Sequence, residues 1–256
     1  MPKTPSIRTQ DLTIRFGGHA AVNGVSCAFF PGELTVVVGP NGAGKTTWFN
    51  LVSGQLRPSA GRIFLGERDI TALSPSARAK AGIGRAFQLT NLFPKLSVLE
   101  NVRLAVQARA GQGHRLFARA TALTGLTDKA MHYLDEANLA AVAQLPAAAL
   151  PHGDQRKLEV AMLLAMEPDI FMFDEPTAGM SVDEAPVILE LIARIKQDPS
   201  RTILLVEHKM DVVRALADRI VVLHNGELLA DGAPGEVMAM ELVRDIYLGV
   251  GAEEVA

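Results

Sequence analysis

Nine consecutive residues, Gly39-Pro40-Asn41-Gly42-Ala43-Gly44-Lys45-Thr46-Thr47, have the types and spacing to hold a chain of phosphates. They fit G-x-x-x-x-G-K-[ST], in which glycines let backbone N–H groups approach an anion without interference from Cβ atoms. A helix starting there adds partial positive charge. Lys45 can span the β- and γ-phosphates of a nucleoside triphosphate, and Thr46 offers a hydroxyl to Mg2+. The apolar run Leu34-Thr35-Val36-Val37-Val38 enters the loop as a buried strand would, and Trp48 to Val52 leaves it as a helix that Gly54 can end.

A second group of reactive side chains follows the apolar stretch Ile170-Phe171-Met172-Phe173. A buried strand delivers its terminal residues, here Asp174 and Glu175, to the sheet edge where a phosphate loop also lies. Asp174 would help to hold Mg2+, and Glu175 would polarise the water that attacks the γ-phosphate. His208 ends another apolar run, Ile203 to Val206, and can donate to the γ-phosphate, although a structural histidine fits the same position. Gln88 ends a strand, where its amide can reach the metal or the attacking water; read alone, a solvated glutamine fits as well. Phe16, before Gly17-Gly18, can stack on adenine or pack in a core.

The elements that must position these groups alternate between strand and helix. Residues 7–16 and 21–29 suggest two antiparallel strands around the Gly17-Gly18 break. Further strands are expected at 62–65, 83–87, 170–173, 202–206 and 219–223, with Asn225-Gly226 turning a hairpin into 227–230. Ser74 and Ser97 have the character of helix caps, and helices are expected at 98–109, 128–139, 183–197 and 210–217. The pattern implies an α/β P-loop NTPase core with a mainly parallel sheet, an antiparallel β subdomain and a helical subdomain at about 95–166.

Composition narrows the partners. The 256 residues are 48% hydrophobic and 21% charged, ordinary for a folded domain, and the net charge of −3 gives no reason to expect nucleic acid. A single cysteine, Cys27, leaves no internal disulfide and fits a reducing compartment. No run approaches the roughly 20 apolar residues of a membrane helix, and the start of the chain lacks a secretory signal's apolar stretch. A cytoplasmic protein is expected, with any membrane part supplied by another polypeptide.

The order of these motifs resembles that of the ATP-binding subunit of ABC transporters. The phosphate loop, Gln88, Leu150-Pro151-His152-Gly153-Asp154-Gln155-Arg156, Asp174-Glu175-Pro176-Thr177, Ala178-Gly179-Met180-Ser181 and His208 follow one another across residues 5–248, leaving 249–256 as a tail. Phe16-Gly17-Gly18 with Ala21-Val22, Ala178-Gly179-Met180 and Tyr247-Leu248-Gly249 resemble the branched-chain amino-acid importers; His152 and the 158–164 helix are similar to the urea or short-amide branch. The resemblance implies ATP and Mg2+ as ligands, and nucleotide contacts from Phe16, Val22, Pro151, Gly153 and Gln155 as well as Gln88.

It further implies a head-to-tail pair of ATP-binding subunits, permease subunits in the membrane, and a periplasmic solute-binding protein acting indirectly. The chain would then lie at the cytoplasmic face of the membrane. A soluble ABC-type ATPase working on nucleic acid or ribosomes is the alternative. Against it stand the 109 residues from Gly44 to Gly153 (153 − 44 = 109), too short for an inserted coiled coil, and the presence of one cassette.

One departure is chemical. The family signature is Leu-Ser-Gly-Gly-Gln, and here the serine that donates to the γ-phosphate across the pair is Pro151, which has neither hydroxyl nor N–H. Asp154 adds negative charge beside it. A heterodimer with one strong and one weak site is expected, a homodimer being the other possibility.

Overall fold

The computed structural model describes residues 4–86, 92–111, 120–180 and 185–250, with only the backbone at 120–124 and 246–250. In chain order the elements are β1 (Ile7–Phe16), β2 (His19–Phe29), β3 (Glu33–Val38), α1 (Lys45–Ser53), β4 (Ala60–Leu65), β5 (Arg68–Asp69), α2 (Pro75–Lys80) and β6 (Ile83–Ala86). Then come α3 (Val98–Arg109), α4 (Ala120–Glu136), α5 (His152–Ala165), β7 (Ile170–Asp174), α6 (Ala185–Lys196), β8 (Thr202–Val206) and α7 (Met210–Leu216). The chain closes with β9 (Arg219–His224), β10 (Glu227–Gly232), α8 (Pro234–Ala239) and α9 (Glu241–Val250).

Two compact units share these elements, one holding residues 1–83, 170–175 and 196–256, the other 84–169 and 176–195. In the first unit, β3 pairs in parallel with both β8 and β9, and β7 pairs in parallel with β8. Its main sheet runs β10-β9-β3-β8-β7. Strands covered on both faces cannot alternate, which is why Ile170–Asp174 and Thr202–Val206 are buried throughout. The last two strands of the chain join antiparallel through Asn225 (φ 49°) and Gly226 (φ 80°), the conformation a two-residue hairpin turn requires.

A second, antiparallel sheet has the order β2-β1-β4-β5. Its strands do alternate: Val22, Val25, Cys27 and Phe29 of β2 face the core while Asn23, Gly24 and Ser26 face out. Burial pushes the Cys27 thiol up to about 12, the charge of Asp231 adding to the effect. Trp48 is 1% exposed and packs its ring 5.4 Å from Phe29 and 5.8 Å from Phe49, which fixes α1 against this core.

The other end of α1 is closed by a buried cation. Arg78 of α2 is 1% exposed and donates from Nη1 to the carbonyls of Leu51 and Val52 (both 2.7 Å), from Nη2 to Thr71 (2.9 Å) and from Nε to Leu73 (3.2 Å). The last carbonyls of a helix have no partner within it, and a positive charge there also complements the helix dipole. Burial lowers the proton affinity of Arg78, to about 10, and the nearby Asp69 opposes that shift.

The second unit is mainly helical where it is described. Ser97 Oγ accepts from the N–H of Glu100 (3.1 Å) and caps α3 as expected. Asn101, fully buried, accepts from the N–H of Phe93 (2.8 Å) and donates to Ser97 O (2.9 Å), which ties the preceding loop to the helix. Tyr133 of α4 donates to Glu167 Oε1 (2.7 Å). The expected helix at 128–139 begins earlier and ends earlier, at Ala120–Glu136, because Asn138 takes a left-handed conformation (φ 56°) that stops it.

Candidate active site

The phosphate-loop residues sit between the end of β3 and the start of α1, where the sequence predicts them. Gly39 passes so close to the sheet that a Cβ would lie 2.2 Å from Leu223 O, and at Gly44 (φ 94°) it would lie 2.4 Å from Ala21 O. No other residue fits either place. Gly44 is the N-cap of α1 and contributes no side-chain cap, so the first-turn N–H groups around Thr46 and Thr47 keep their donors for an incoming anion. Pro40 is half-buried, Ala43 buried, and Asn41 and Gly42 exposed along the outer rim.

Lys45 is 7% exposed and its Nζ donates to the carbonyls of Gly39 (2.7 Å) and Pro40 (3.0 Å), which lays the side chain along the loop. Burial lowers its proton affinity, while the negative charges of Glu175 and then Asp174 pull the other way. One ammonium thus feels both carboxylates at the end of β7. Asp174 is 2% exposed. Together with the Thr46 hydroxyl it makes an oxygen-only donor set, which suits a hard cation such as Mg2+.

Glu175 adopts φ 46°, a conformation uncommon for a residue with a side chain, and its N–H is held by Val206 O at 3.0 Å. The chemistry is expected at this same residue. His208 Nδ1 stands 3.9 Å from Glu175 Oε1 and 3.6 Å from Glu207 Oε2, with the imidazole side chain 55% exposed. The carboxylate of Glu207, fully buried, accepts from the N–H groups of His208 (2.8 Å) and Lys209 (3.3 Å) and so fixes the backbone that carries the histidine. Phe16, at the tip of β1, is 53% exposed, as a ring available for stacking must be.

In the second unit, Pro151 caps α5 from outside and Gly153 is buried in its first turn. Asp154 is ion-paired with Lys157 Nζ at 2.7 Å, which offsets the repulsion expected from its charge. Gln155 donates its amide to Leu150 O at 2.9 Å, a bond that steadies the turn into the helix. His152 is exposed beside Gly179, where a Cβ would lie 3.9 Å from His152 Nε2.

The family model described as ABC transporter matches residues 22–178, from β2 through the acids and on into the segment after them. This chain belongs to the ABC transporter family. It is 37% identical over 250 residues to LivG, the high-affinity branched-chain amino acid transport ATP-binding protein of Escherichia coli K12, covering 96% of this chain and 98% of that one. A solved ABC transporter ATP-binding cassette in its ADP conformation superposes with TM-score 0.80 at 27% identity, covering 96% of this chain and 99% of that chain. A dimeric cassette in a post-hydrolysis state, bound to ADP and phosphate, gives TM-score 0.75 at 25% identity over 89% of this chain and 98% of that one. The chain is an ABC transporter ATP-binding subunit, an ATPase coupled to transport.

Within this ABC cassette, the first unit brings together Phe16, the loop 39–47, Asp174, Glu175 and His208. Pro151, Gly153 and Gln155 lie in the second unit, and Gln88 lies outside the described residues. Val22, expected at the nucleotide, is fully buried on the inner face of β2. Gln155, expected there as well, uses one amide N–H on Leu150 O. Sequence reasoning overlooked Glu207; its place between a strand and the histidine was the available signal.

Proposed function

We propose that this ABC subunit powers uptake of branched-chain amino acids, or of related small amides, from the cytoplasmic face of the membrane. The observation that carries the reading is the convergence of Lys45, Asp174, Glu175 and His208 within one compact unit, in a chain matched along nearly its whole length by a branched-chain amino acid transport ATP-binding protein. Lys45 and the N–H groups at the start of α1 bind the β- and γ-phosphates. Thr46 and Asp174 hold Mg2+, which when bound neutralises charge on those phosphates. Glu175 takes the proton of the attacking water, and His208 donates to the γ-phosphate.

Among the described residues no helix is long and apolar enough to cross a membrane, so the permeation path belongs to other polypeptides. An exposed apolar surface in the second unit supports docking of a permease: Phe93, Leu96 and Leu145 are 50%, 37% and 45% exposed. Backbone bonds of 3.0 Å (Leu96 N–H to Phe93 O) and 2.9 Å (Val98 N–H to Leu145 O) hold that surface together. Proteoliposomes containing the permeases, a second ATPase, this subunit and the solute receptor should accumulate labelled leucine or a short amide only with ATP. Absence of ATP-dependent uptake of either class would remove the reading.

A paired arrangement is supported by the dimeric cassette of similar fold. Because Pro151 cannot donate a hydrogen bond, the second ATP site of such a pair would be weak, and a heterodimer whose other subunit carries a complete signature accounts for an intact hydrolytic set here. In the assembled complex Pro151→Ser should raise the ATPase rate several-fold, by restoring a donor to the partner's γ-phosphate. Equal rates in steady-state phosphate release would count against the asymmetry.

A further inference from the structure

The turn between β9 and β10 does more than connect two strands, because it is bonded directly to the phosphate loop. The N–H of Gly226 donates to the carbonyl of Ala43 at 3.1 Å. That carbonyl belongs to the Ala43–Gly44 peptide, which is planar and trans, so its N–H points opposite to its C=O. Holding the carbonyl towards the hairpin therefore directs the N–H of Gly44 away from it. The turn is in its turn secured by β2: the N–H of Asn23 donates to Gly226 O at 2.8 Å, and Asn23 Nδ2 donates to Glu227 Oε1 at 2.7 Å.

Packing at this junction leaves no slack. A Cβ at Gly226 would lie 2.9 Å from Ala21 O, and one at Gly44 would lie 3.4 Å from the Cα of Gly226. Three backbone segments thus meet without side chains between them: the turn, the phosphate loop and β2, whose neighbouring strand carries Phe16 at its tip.

We infer that Gly226 is a positioning residue for nucleotide binding, setting the Ala43–Gly44 peptide of the phosphate loop through a relay that begins at Asn23. It touches no nucleotide itself. The inference rests on the nucleotide reading of residues 39–47 and adds to it a determinant some 180 residues away in the chain (226 − 43 = 183).

The sole tryptophan, Trp48, lies on the helix that follows the loop and offers a fluorescence readout of ATP binding by the full-length protein. Gly226→Ala introduces a side chain at φ 80° and displaces the turn, and should raise the Kd for ATP about tenfold. Asn23→Ala removes only the side-chain bond to Glu227 and should raise it about two- to threefold. Both measurements are made well below the melting temperature of each variant. In the reconstituted transporter the KM for ATP should rise in step while kcat at saturating ATP changes less than twofold, a split that a general loss of stability does not produce. A folded Gly226→Ala protein with wild-type Kd overturns the inference. Should that variant not fold, Asn23→Ala decides, and unchanged affinity there overturns it equally. Wild-type protein that binds no ATP would instead overturn the nucleotide reading beneath it.

Discussion

Glu175→Gln is expected to leave ATP affinity within about twofold of wild type and to lower steady-state hydrolysis by about 10²–10⁴-fold. The substitution preserves the shape of a side chain that its φ of 46° and the bond from its N–H to Val206 O hold in one direction. It removes the basic oxygens that a water molecule must lose its proton to. Binding should survive because the phosphate contacts come from Lys45 and the start of α1. Loss of a negative charge near Lys45 should if anything strengthen the hold on ATP, since Glu175 is the first of the two carboxylates that act on that ammonium. Multiple-turnover phosphate release by the assembled transporter, measured beside calorimetric ATP binding, checks both parts. A rate loss below about fivefold would reject Glu175 as the group that activates water.

Arg78→Met should cost about 3–5 kcal/mol of stability in the first unit. The side chains are similar in length, so packing changes little, but four backbone carbonyls in a buried or half-buried setting lose a donor, and of these Leu51 O keeps the N–H of Gly54 (3.1 Å). A buried acceptor left without a partner costs about 1–3 kcal/mol, and the four share one site where water can reach only part of the deficit. The helix affected is the one whose first turn faces the phosphates, so ATP added in excess should recover part of the loss by binding the folded form. Denaturant unfolding followed through Trp48 measures the effect, and a change under about 1 kcal/mol would show that Arg78 is dispensable.

What could be read from the sequence follows from how local each signal is. The loop at 39–47, the strands that enter it and the acids at 174–175 are written in contiguous residues, so spacing alone places them. Ser74 and Ser97 behave as caps for the same reason. Arg78 escaped notice because its acceptors lie at residues 51, 52, 71 and 73, and no spacing rule links an arginine to carbonyls of another element. Alternation along β2 buries Val22 on the same face as Val25 and Cys27, which its placing at the nucleotide by resemblance did not reveal. The helix expected from residue 128 already runs through Thr124 and Gly125, which have low helix propensity. The relay through Gly226 depends on backbone atoms alone, and side-chain identity carries no trace of it beyond a glycine that a hairpin would need in any case.

The burial of Cys27 has a practical consequence. A thiol lifted to about 12 inside β2 stays protonated at neutral pH and shielded from reagents, and it is the chain's sole cysteine. The natural protein is therefore blank to maleimide labelling while folded. Thiols placed one or two at a time on exposed positions can carry spin or fluorescence labels without first removing a native one, so distances between subunits can be followed through a transport cycle in an otherwise unaltered background.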